Sequence, residues 1–302
     1  MFKSKNSMSR ALVRRETTAG YLFLLPRLFF FVTFVLYPMF LCIYTSFFDS
    51  NMGKNAVDVF VGLGNYKELF QDKLFLGALK NTVVIVVVAV PTVCAFSLWV
   101  ATAIYDMKPA LTSAFRCIFY LPVVTGSVAV TVVWKWMYNS RYGVFNYLFK
   151  SLGIIDQNIN WLGDARFALW CIILILFTTS VGQPIVLYVS ALGNVDHSLV
   201  EAAQVDGANR RQVFWKIKWA QIMPTTLYIL IITTINSFQC FALIQLLTSG
   251  GPTHSTDTIM YYIYYTAFKL YRYGYGNAMG VVLMIIIAVL SAVQFKLGQR
   301  SD

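Results

Sequence analysis

The chain contains six apolar stretches, each long enough to cross the hydrocarbon core of a bilayer. A helix needs roughly 20 residues to cross a core of ~30 Å, and every backbone polar group in lipid must be hydrogen-bonded within its own segment. Residues 83–88 are continuously apolar and do not alternate as the strands of a membrane barrel would. The sequence therefore predicts an all-α polytopic membrane protein. The predicted spans are 21–48, 81–104, 117–138, 167–192, 223–247 and 277–297.

The composition is that of a chain surrounded by lipid rather than by water. The 302 residues are 58% hydrophobic and 12% charged, whereas a soluble domain is about half apolar and a quarter charged. The net charge of +11 comes without a basic patch interleaved with aromatic residues, so we expect membrane lipid and no nucleic acid as a partner. The five cysteines follow no repeating spacing, which predicts neither a disulfide framework nor a metal site.

The distribution of basic residues predicts the orientation of the chain. An even number of spans places both termini on one side of the membrane. The termini and the loops 105–116 and 193–222 carry the larger excess of Lys and Arg over acidic residues, which predicts that they are cytoplasmic. The N-terminal apolar run lacks a small-residue cleavage site and is therefore predicted to be a retained first span. The basic residues that precede this run are Lys3, Lys5, Arg10, Arg14 and Arg15.

The spans and loops together predict the organisation of the chain. Apolar residues at helical intervals in 143–166 predict a short amphipathic helix on the extracytoplasmic side. It would lie on the bundle or the headgroups, or form part of a platform for an external partner. The predicted regions are a cytoplasmic segment 1–20, a first helix 21–48, an extracytoplasmic loop 49–80, a core 81–297 of five helices with the loop 196–222, and a tail 298–302.

The polar loop between the fourth and fifth spans carries a short predicted helix. Ser198 and Glu201 have the spacing of a capping box, which predicts a helix that starts near residue 199. Gly207 is suited to end it in the left-handed conformation. Between them, the small Ala202 and Ala203 would let the helix backbone approach a groove closely. A helix of about two turns is marginal in water, so either its own bundle or a partner must cover it.

This loop resembles the EAA loop of the inner-membrane permease subunits of ABC importers. The matching pattern is Glu-Ala-Ala at 201–203, Gly207, and Ile217 after nine intervening residues. The segments 60–66, 204–208 and 246–252 are similar to those of the maltose-type, carbohydrate-uptake permeases. Trp219-Ala220 departs from the pattern, since the family has Leu-Pro there. The resemblance implies the type I ABC importer permease fold and a location in the plasma membrane of a bacterium.

The resemblance also implies a set of partners. The loop would be a coupling helix seated in a cleft of a separate ATPase subunit, with ATP and Mg²⁺ on that subunit and no cofactor on this chain. A second homologous permease, two ATP-binding subunits and an extracytoplasmic solute-binding protein would complete the importer. The chain has no phosphate-binding, metalloprotease or nucleophile-elbow motif, so catalysis is not expected. The implied coupling residues are Ser198, Glu201, Ala202, Ala203, Asp206, Gly207 and Ile217.

A polar stripe on the fifth span is the first candidate for a substrate path. Its residues follow i, i+3, i+4 and i+7, so they would share one helix face. Such a stripe either bonds a neighbouring helix or lines a hydrated path. The resemblance adds three residues near the kink of the fourth span. The candidates are Thr233, Asn236, Ser237 and Cys240, and by resemblance Gly182, Gln183 and Ile185.

The favoured function is a permease subunit for a sugar, an oligosaccharide in particular. The alternative within the class is a permease for glycerol-3-phosphate or another polar solute, although the fifth-span stripe carries no Lys or Arg for a phosphate. Two different classes stay open: a stand-alone ion-coupled carrier or channel, and a membrane sensor. The predicted spans contain no Asp or Glu, which argues against an ion-coupled carrier.

Overall fold

The structure, a computed structural model, describes residues 3–50 and 58–298, most of which are helical. The predicted tail, apart from Gly298, and the side chains of residues 3–15 lie outside this description. The elements are α1 (Lys3–Phe31), α2 (Tyr37–Thr45), β1 (Phe48–Asp49), β2 (Val59–Phe60), α3 (Gly64–Leu69), α4 (Lys73–Ile104), α5 (Pro109–Val124), α6 (Ser127–Met137), α7 (Val144–Ser151), α8 (Ala168–Ser180), α9 (Gly182–Gly193), α10 (His197–Val205), α11 (Arg210–Val213), α12 (Trp219–Phe238), α13 (Ala242–Leu247), α14 (Ile259–Tyr264) and α15 (Tyr273–Gly298). Short π-helical segments lie at Val32–Leu36, Phe214–Lys218 and Tyr265–Lys269.

Among the described residues, five helical stretches are long and apolar enough to cross a membrane. The bent pair α5–α6 makes a sixth if it is counted as one span. This arrangement confirms the predicted all-α polytopic class. The five stretches are Glu16–Thr45, Lys73–Ile104, Ala168–Gly193, Arg210–Leu247 and Tyr273–Gly298.

The third predicted span, 117–138, is wrong as one continuous helix. α5 and α6 meet at 94°. Thr125 and Gly126 between them have extended ψ values of 127° and 140°, which directs their peptide groups away from the axis of α5. Two consecutive extended residues therefore end one hydrogen-bonded ladder and start another in a new direction.

The predicted limits of the second and fifth spans also change. α4 starts at Lys73 rather than at residue 81, because Asp72 caps it by accepting hydrogen bonds from the amides of Leu74 and Phe75 at 2.8 and 3.3 Å. The helix leading into the fifth span already begins at Arg210 and runs through Pro224. The predicted loop 196–222 therefore overlaps helix at its end.

Three helices form the frame of the bundle. α4 packs against α9 and α12, which also contact each other. Their shared core includes Val93, Tyr188 and Ile229, all at most 1% exposed. α15 packs on α12 and α2, and Gln294 donates a hydrogen bond of 2.9 Å to the hydroxyl of Thr234. The first span contacts the rest of the bundle mainly where α2 packs on α15, and the apolar side chains of α1 from Tyr21 onward are exposed.

One end of the bundle is closed by the antiparallel pair β1–β2 and by α3. The amide of Asn65 donates to the carbonyls of Ser46 and Phe48 at 2.8 and 2.9 Å. Arg272 donates two hydrogen bonds of 2.7 Å to the carboxylate of Glu68. These contacts join the end of α2 to α3 and to the start of α15. Farther along the chain, α7 confirms the short helix predicted within 143–166.

The close approach of α15 to β1 provides a test of this closure. A Cβ on Gly274 would lie 1.8 Å from the carbonyl oxygen of Phe48, so Gly274→Ala must displace β1 or α15. We expect a loss of about 1–3 kcal/mol, measured as a lower unfolding temperature in detergent. Gly77→Ala in α4 is the matched control, because nothing lies within 4 Å of its Cβ position. Equal unfolding temperatures for the two variants would contradict this packing.

Candidate functional site

The segment between α9 and α12, residues 196–218, contains the loop singled out in the sequence. It consists of α10, α11 and the π-helical segment Phe214–Lys218, which continues into α12 without a turn. Trp219-Ala220, where the chain departs from the family pattern, therefore lies within continuous helix. We call residues 196–218 the interspan segment.

The start of α10 differs from the predicted capping box. Asp196, not Ser198, is the cap: its carboxylate accepts from the amide of Ser198 at 2.9 Å and from the Ser198 hydroxyl at 2.7 Å. Glu201 is exposed. The hydrogen bond from the Ser198 side chain, followed by that from its amide, lowers the pKa of Asp196 from its ordinary value. The cap therefore stabilises α10 at neutral pH, and its contribution is lost as the pH falls through the lowered folded-state pKa.

The end of α10 confirms the prediction for Gly207. Its φ is +82°, in the left-handed region that favours glycine. The amide of Gly207 donates to the carbonyl of Gln204 at 3.1 Å, and the amide of Ala208 donates to that of Ala203 at 2.9 Å. These two bonds form a Schellman motif. The turn then leads directly into a second cap.

The second cap was missed in the sequence. Asn209 and Gln212 form a reciprocal capping box, with amide-to-side-chain hydrogen bonds of 2.8 and 2.9 Å. The signal was present as an Asn followed three residues later by a Gln. With it, the backbone is fixed on both sides of Gly207.

The fold of the interspan segment accounts for the spacing of the motif. α10 and α11 enclose a cavity of about 330 Å³, which we call the loop cavity. Gly207 and Ile217 both line it, although nine residues separate them. Ala203 and Asp206 also line it. Four of the seven implied coupling residues therefore meet around one small space.

α10 also carries an exposed apolar strip, beside the face that lines the loop cavity. Leu199 is 51% exposed and Val205 is 88% exposed, and Ala202 between them is also exposed. These residues recur every three positions, so they are neighbours on the helix surface. Ala203 is half-buried and lines the loop cavity. Ala202 therefore belongs to the exposed strip, whereas Ala203 belongs to the wall of the loop cavity.

Two contacts fasten the interspan segment to the bundle. The amide of Asp196 donates to the side-chain carbonyl of Gln221 at 3.0 Å, which joins the start of α10 to α12. The ammonium of Lys218 donates to the hydroxyl of Tyr105, at the end of α4, and lies 4.3 Å from the centre of that ring. The segment is thus attached to two of the three frame helices.

A second cavity lies within the bundle itself. It has a volume of about 140 Å³, enough for several waters, and we call it the bundle cavity. Polar side chains from α8, α9 and α12 line it. Pro184 has no amide hydrogen, so the carbonyl of Ser180 receives no helical bond from that position. The lining residues are Val123, Thr179, Ser180, Gln183, Pro184, Leu187, Ile232, Thr233 and Asn236.

The structure brings three of the seven path candidates to this cavity: Gln183, Thr233 and Asn236. Gln183 and Asn236 are exposed, as groups in a hydrated space should be. Thr179 and Ser180 were missed, although the polar run 178–180 in an otherwise apolar span was a visible signal.

The other four candidates do not line the bundle cavity. Gly182 packs against α5, since a Cβ there would lie 2.3 Å from the carbonyl oxygen of Phe119. Ile185 is fully buried in the bundle core, and Ser237 is 2% exposed. The assumed continuation of the stripe to Cys240 is wrong, because α12 ends at Phe238. Cys240 instead accepts a hydrogen bond of 2.7 Å from the hydroxyl of Thr258 through its carbonyl.

Comparison with known proteins places the chain among membrane transport components. A family model described as "Binding-protein-dependent transport system inner membrane component" matches residues 73–301. The "Probable ABC transporter permease protein YesP" of Bacillus subtilis is 33% identical over 94% of this chain and 91% of its own length. The "Multiple sugar-binding transport system permease protein MsmF" of Streptococcus mutans is 32% identical over 94% of this chain and 96% of its own.

A solved structure has the same fold. It is described as a "bacterial alginate ABC transporter in complex with alginate pentasaccharide-bound periplasmic protein". The match has a TM-score of 0.81 at 24% sequence identity, and covers 95% of this chain and 96% of the other. The likeness extends over the whole helical bundle and confirms the predicted ABC permease fold.

The turn at Gly207 can be tested directly. A left-handed conformation costs a residue with a Cβ about 1–2 kcal/mol, so Gly207→Ala should open the end of α10. We expect the amide of Ala208 to exchange with deuterium roughly 5–30 times faster. Gly193→Ala is the control, because Gly193 is in α9, has no positive φ, and has nothing within 4 Å of its Cβ position. Unchanged exchange at Ala208 would show that the turn does not need glycine.

Proposed function

The chain belongs to the family of binding-protein-dependent transport system inner membrane components, and on that premise we propose that it is a permease subunit of an ABC importer for a sugar, an oligosaccharide in particular. In this proposal the bundle cavity is part of the path, and the interspan segment couples the path to a separate ATPase. MsmF, whose name refers to sugar transport, supports the substrate class.

The observation that carries the proposal is the exposed apolar strip of α10. Leu199, Ala202 and Val205 are exposed and lie on a helix outside the candidate membrane spans. A helix this short is marginal in water by itself, yet here it is capped at both ends. Exposed apolar groups that are surrounded by polar residues on a well-formed helix are typical of a surface that docks another protein.

The bundle cavity suits a sugar chemically. Gln183 and Asn236 offer amide donors and acceptors, and Thr179 and Thr233 offer hydroxyls. Leu187 and Ile232 add apolar contact. A sugar presents hydroxyls around apolar ring faces, so a wall of mixed amides, hydroxyls and aliphatic groups matches it.

The proposed partners follow from this arrangement. A second homologous permease would complete the path and cover exposed parts of the first span. Two ATP-binding subunits would hold ATP and Mg²⁺ and receive α10. An extracytoplasmic solute-binding protein would deliver the sugar, and the alginate transporter structure contains an alginate pentasaccharide-bound periplasmic protein. This chain itself supplies transport rather than catalysis.

The proposed orientation places both termini and the interspan segment in the cytoplasm. The basic residues before the first span and Lys216 and Lys218 in the segment support it. The end closed by β1, β2 and α3 would then face the binding protein. ATP binding would close the ATPase pair, pull α10 and reorient the bundle between inward-open and outward-open states.

A photo-crosslinking experiment tests the coupling. Benzoylphenylalanine placed at Val205 or Leu199 should capture the ATP-binding subunit in membranes that contain the complete importer. The same residue at Leu152, 69% exposed at the end of α7, is the control and should not capture it. The proposal is wrong if Val205 yields no adduct with an ATP-binding chain while the importer is assembled.

A transport assay tests the path. Asn236→Ala removes one amide from the bundle cavity, and the loss of a hydrogen bond worth about 0.5–1.5 kcal/mol should lower ATP-driven sugar uptake by roughly 2–10-fold. Cys240→Ala, beyond the end of α12, is the control. Both variants should assemble with the ATPase. Uptake by the purified chain in liposomes without ATP or partners would instead favour the stand-alone carrier.

A further inference from the structure

Arg116 occupies a position in the structure that the sequence did not indicate. It was assigned to the loop 105–116, but it lies within α5, seven residues after Pro109. At 1.5 Å per residue this is about 10 Å from the start of the helix. Arg116 is only half-exposed. An ionisable residue within an apolar helix of a membrane protein is a candidate for function.

The guanidinium of Arg116 borders a groove between α5 and α9. The groove has a volume of about 450 Å³, and we call it the arginine groove. The Nε atom of Arg116 is buried and has no hydrogen-bond partner in the described part of the chain. No carboxylate is among the lining residues, which are Arg116, Cys117, Tyr120, Gln183, Val186 and Leu187. A guanidinium stays protonated in proteins, so this side of the groove carries an uncompensated positive charge.

The arginine groove adjoins the bundle cavity. Gln183 and Leu187 line both spaces. The close contact of Gly182 with Phe119 sets the register of α5 against α9. Arg116 lies one turn from Phe119 toward the start of α5, which is the direction in which α9 runs to the interspan segment. In the proposed orientation, a solute that leaves the bundle cavity for the cytoplasm passes Arg116.

We propose that Arg116 is a specificity-determining residue and that the permease carries a saccharide with an oxyanion group, namely a carboxylate, sulfonate or phosphate. This inference rests on the proposed function, because it takes the bundle cavity as the path. The planar guanidinium presents paired N–H donors that match two oxygens of one oxyanion. Gln183, which lines both the bundle cavity and the arginine groove, can bind the hydroxyls of the same molecule.

The position of the charge explains why the sequence favoured a neutral solute. The fifth-span stripe has no Lys or Arg, and this remains true in the structure. The cation is supplied instead by α5, and it joins the path only through the packing of α5 on α9. The groove has one cation, so it suits a singly charged group per sugar unit better than a cluster of charges.

Cys117 provides a built-in reporter of this charge, since it is an exposed free thiol in the same groove. The complete importer, in phosphatidylcholine nanodiscs, is treated with anionic sulfonatoethyl or cationic trimethylammonioethyl methanethiosulfonate. Mass spectrometry follows the modification of Cys117. Arg116→Gln should lower the anionic-to-cationic rate ratio by about tenfold, because a unit charge at roughly 7 Å affects the two reagents oppositely.

Two further variants serve as controls for the rate ratio. Arg116→Lys keeps the charge and should keep most of the ratio. Lys108→Gln removes a nearby charge outside the groove, at the start of α5, and should leave the ratio unchanged. An equal ratio in the unmodified chain and in Arg116→Gln, or a Cys117 that stays unreactive in the assembled importer, would overturn the proposal.

The solute is tested with trigalacturonate and its trimethyl ester, which differ only in charge. Millimolar trigalacturonate should slow the modification of Cys117 at least about threefold, the ester should not, and Arg116→Gln should lose the protection. Protection by added phosphatidylglycerol, with none by trigalacturonate, would assign the groove to a lipid headgroup and overturn the proposal. Equal protection by acid and ester would also overturn it.

These outcomes are separable from a failure of the proposed function. If ATP-driven uptake of a neutral saccharide persists unchanged in Arg116→Gln and no protection is seen, the importer stands and the anionic substrate class is wrong. If the complete complex shows no ATP-dependent uptake of any saccharide, the function itself is wrong, whatever the charge in the groove.

Discussion

The need to satisfy backbone hydrogen bonds within an apolar solvent governs this molecule. It makes the spans helical, and it makes each interruption of a helix depend on a compensating contact. The hydroxyl of Ser97 donates to the carbonyl of Val181 at 3.2 Å, where α8 passes into α9. The hydroxyl of Thr258 does the same for Cys240 just after α12. The bundle cavity lies beside these interruptions, where Ser180 and Asn236 can turn polar groups toward it.

The interspan segment connects two helices that line the bundle cavity. α9 enters it and α12 leaves it, and both helices line the bundle cavity. The hydrogen bond from Asp196 to Gln221 and the contact of Lys218 with Tyr105 tie the segment to α12 and to the end of α4. A force applied to the exposed strip of α10 would therefore move two walls of the cavity together. This geometry gives the proposed coupling a physical basis that a flexible loop would lack.

Much of the candidate site could be predicted, and the errors have local causes. The left-handed turn at Gly207 was predicted because few other residues tolerate it. The cap was assigned to Ser198 because the pattern of a capping box was complete, but Asp196 stands two residues earlier and binds Ser198 itself. The stripe to Cys240 failed because periodicity assumes a helix that continues, and nothing in the local sequence marks the end of α12.

The sequence by itself determined the class of the protein, the number and approximate place of its apolar segments, and the motif between the fourth and fifth spans. These follow from composition, period and residue conformation, which are local properties. Only the tertiary structure decided which side chains share a space. Ala202 and Ala203 are adjacent in the chain but face a free surface and a cavity respectively, and Arg116 reaches the candidate path only because α5 packs on α9. Proximity between helices depends on their packing register, which no single segment encodes.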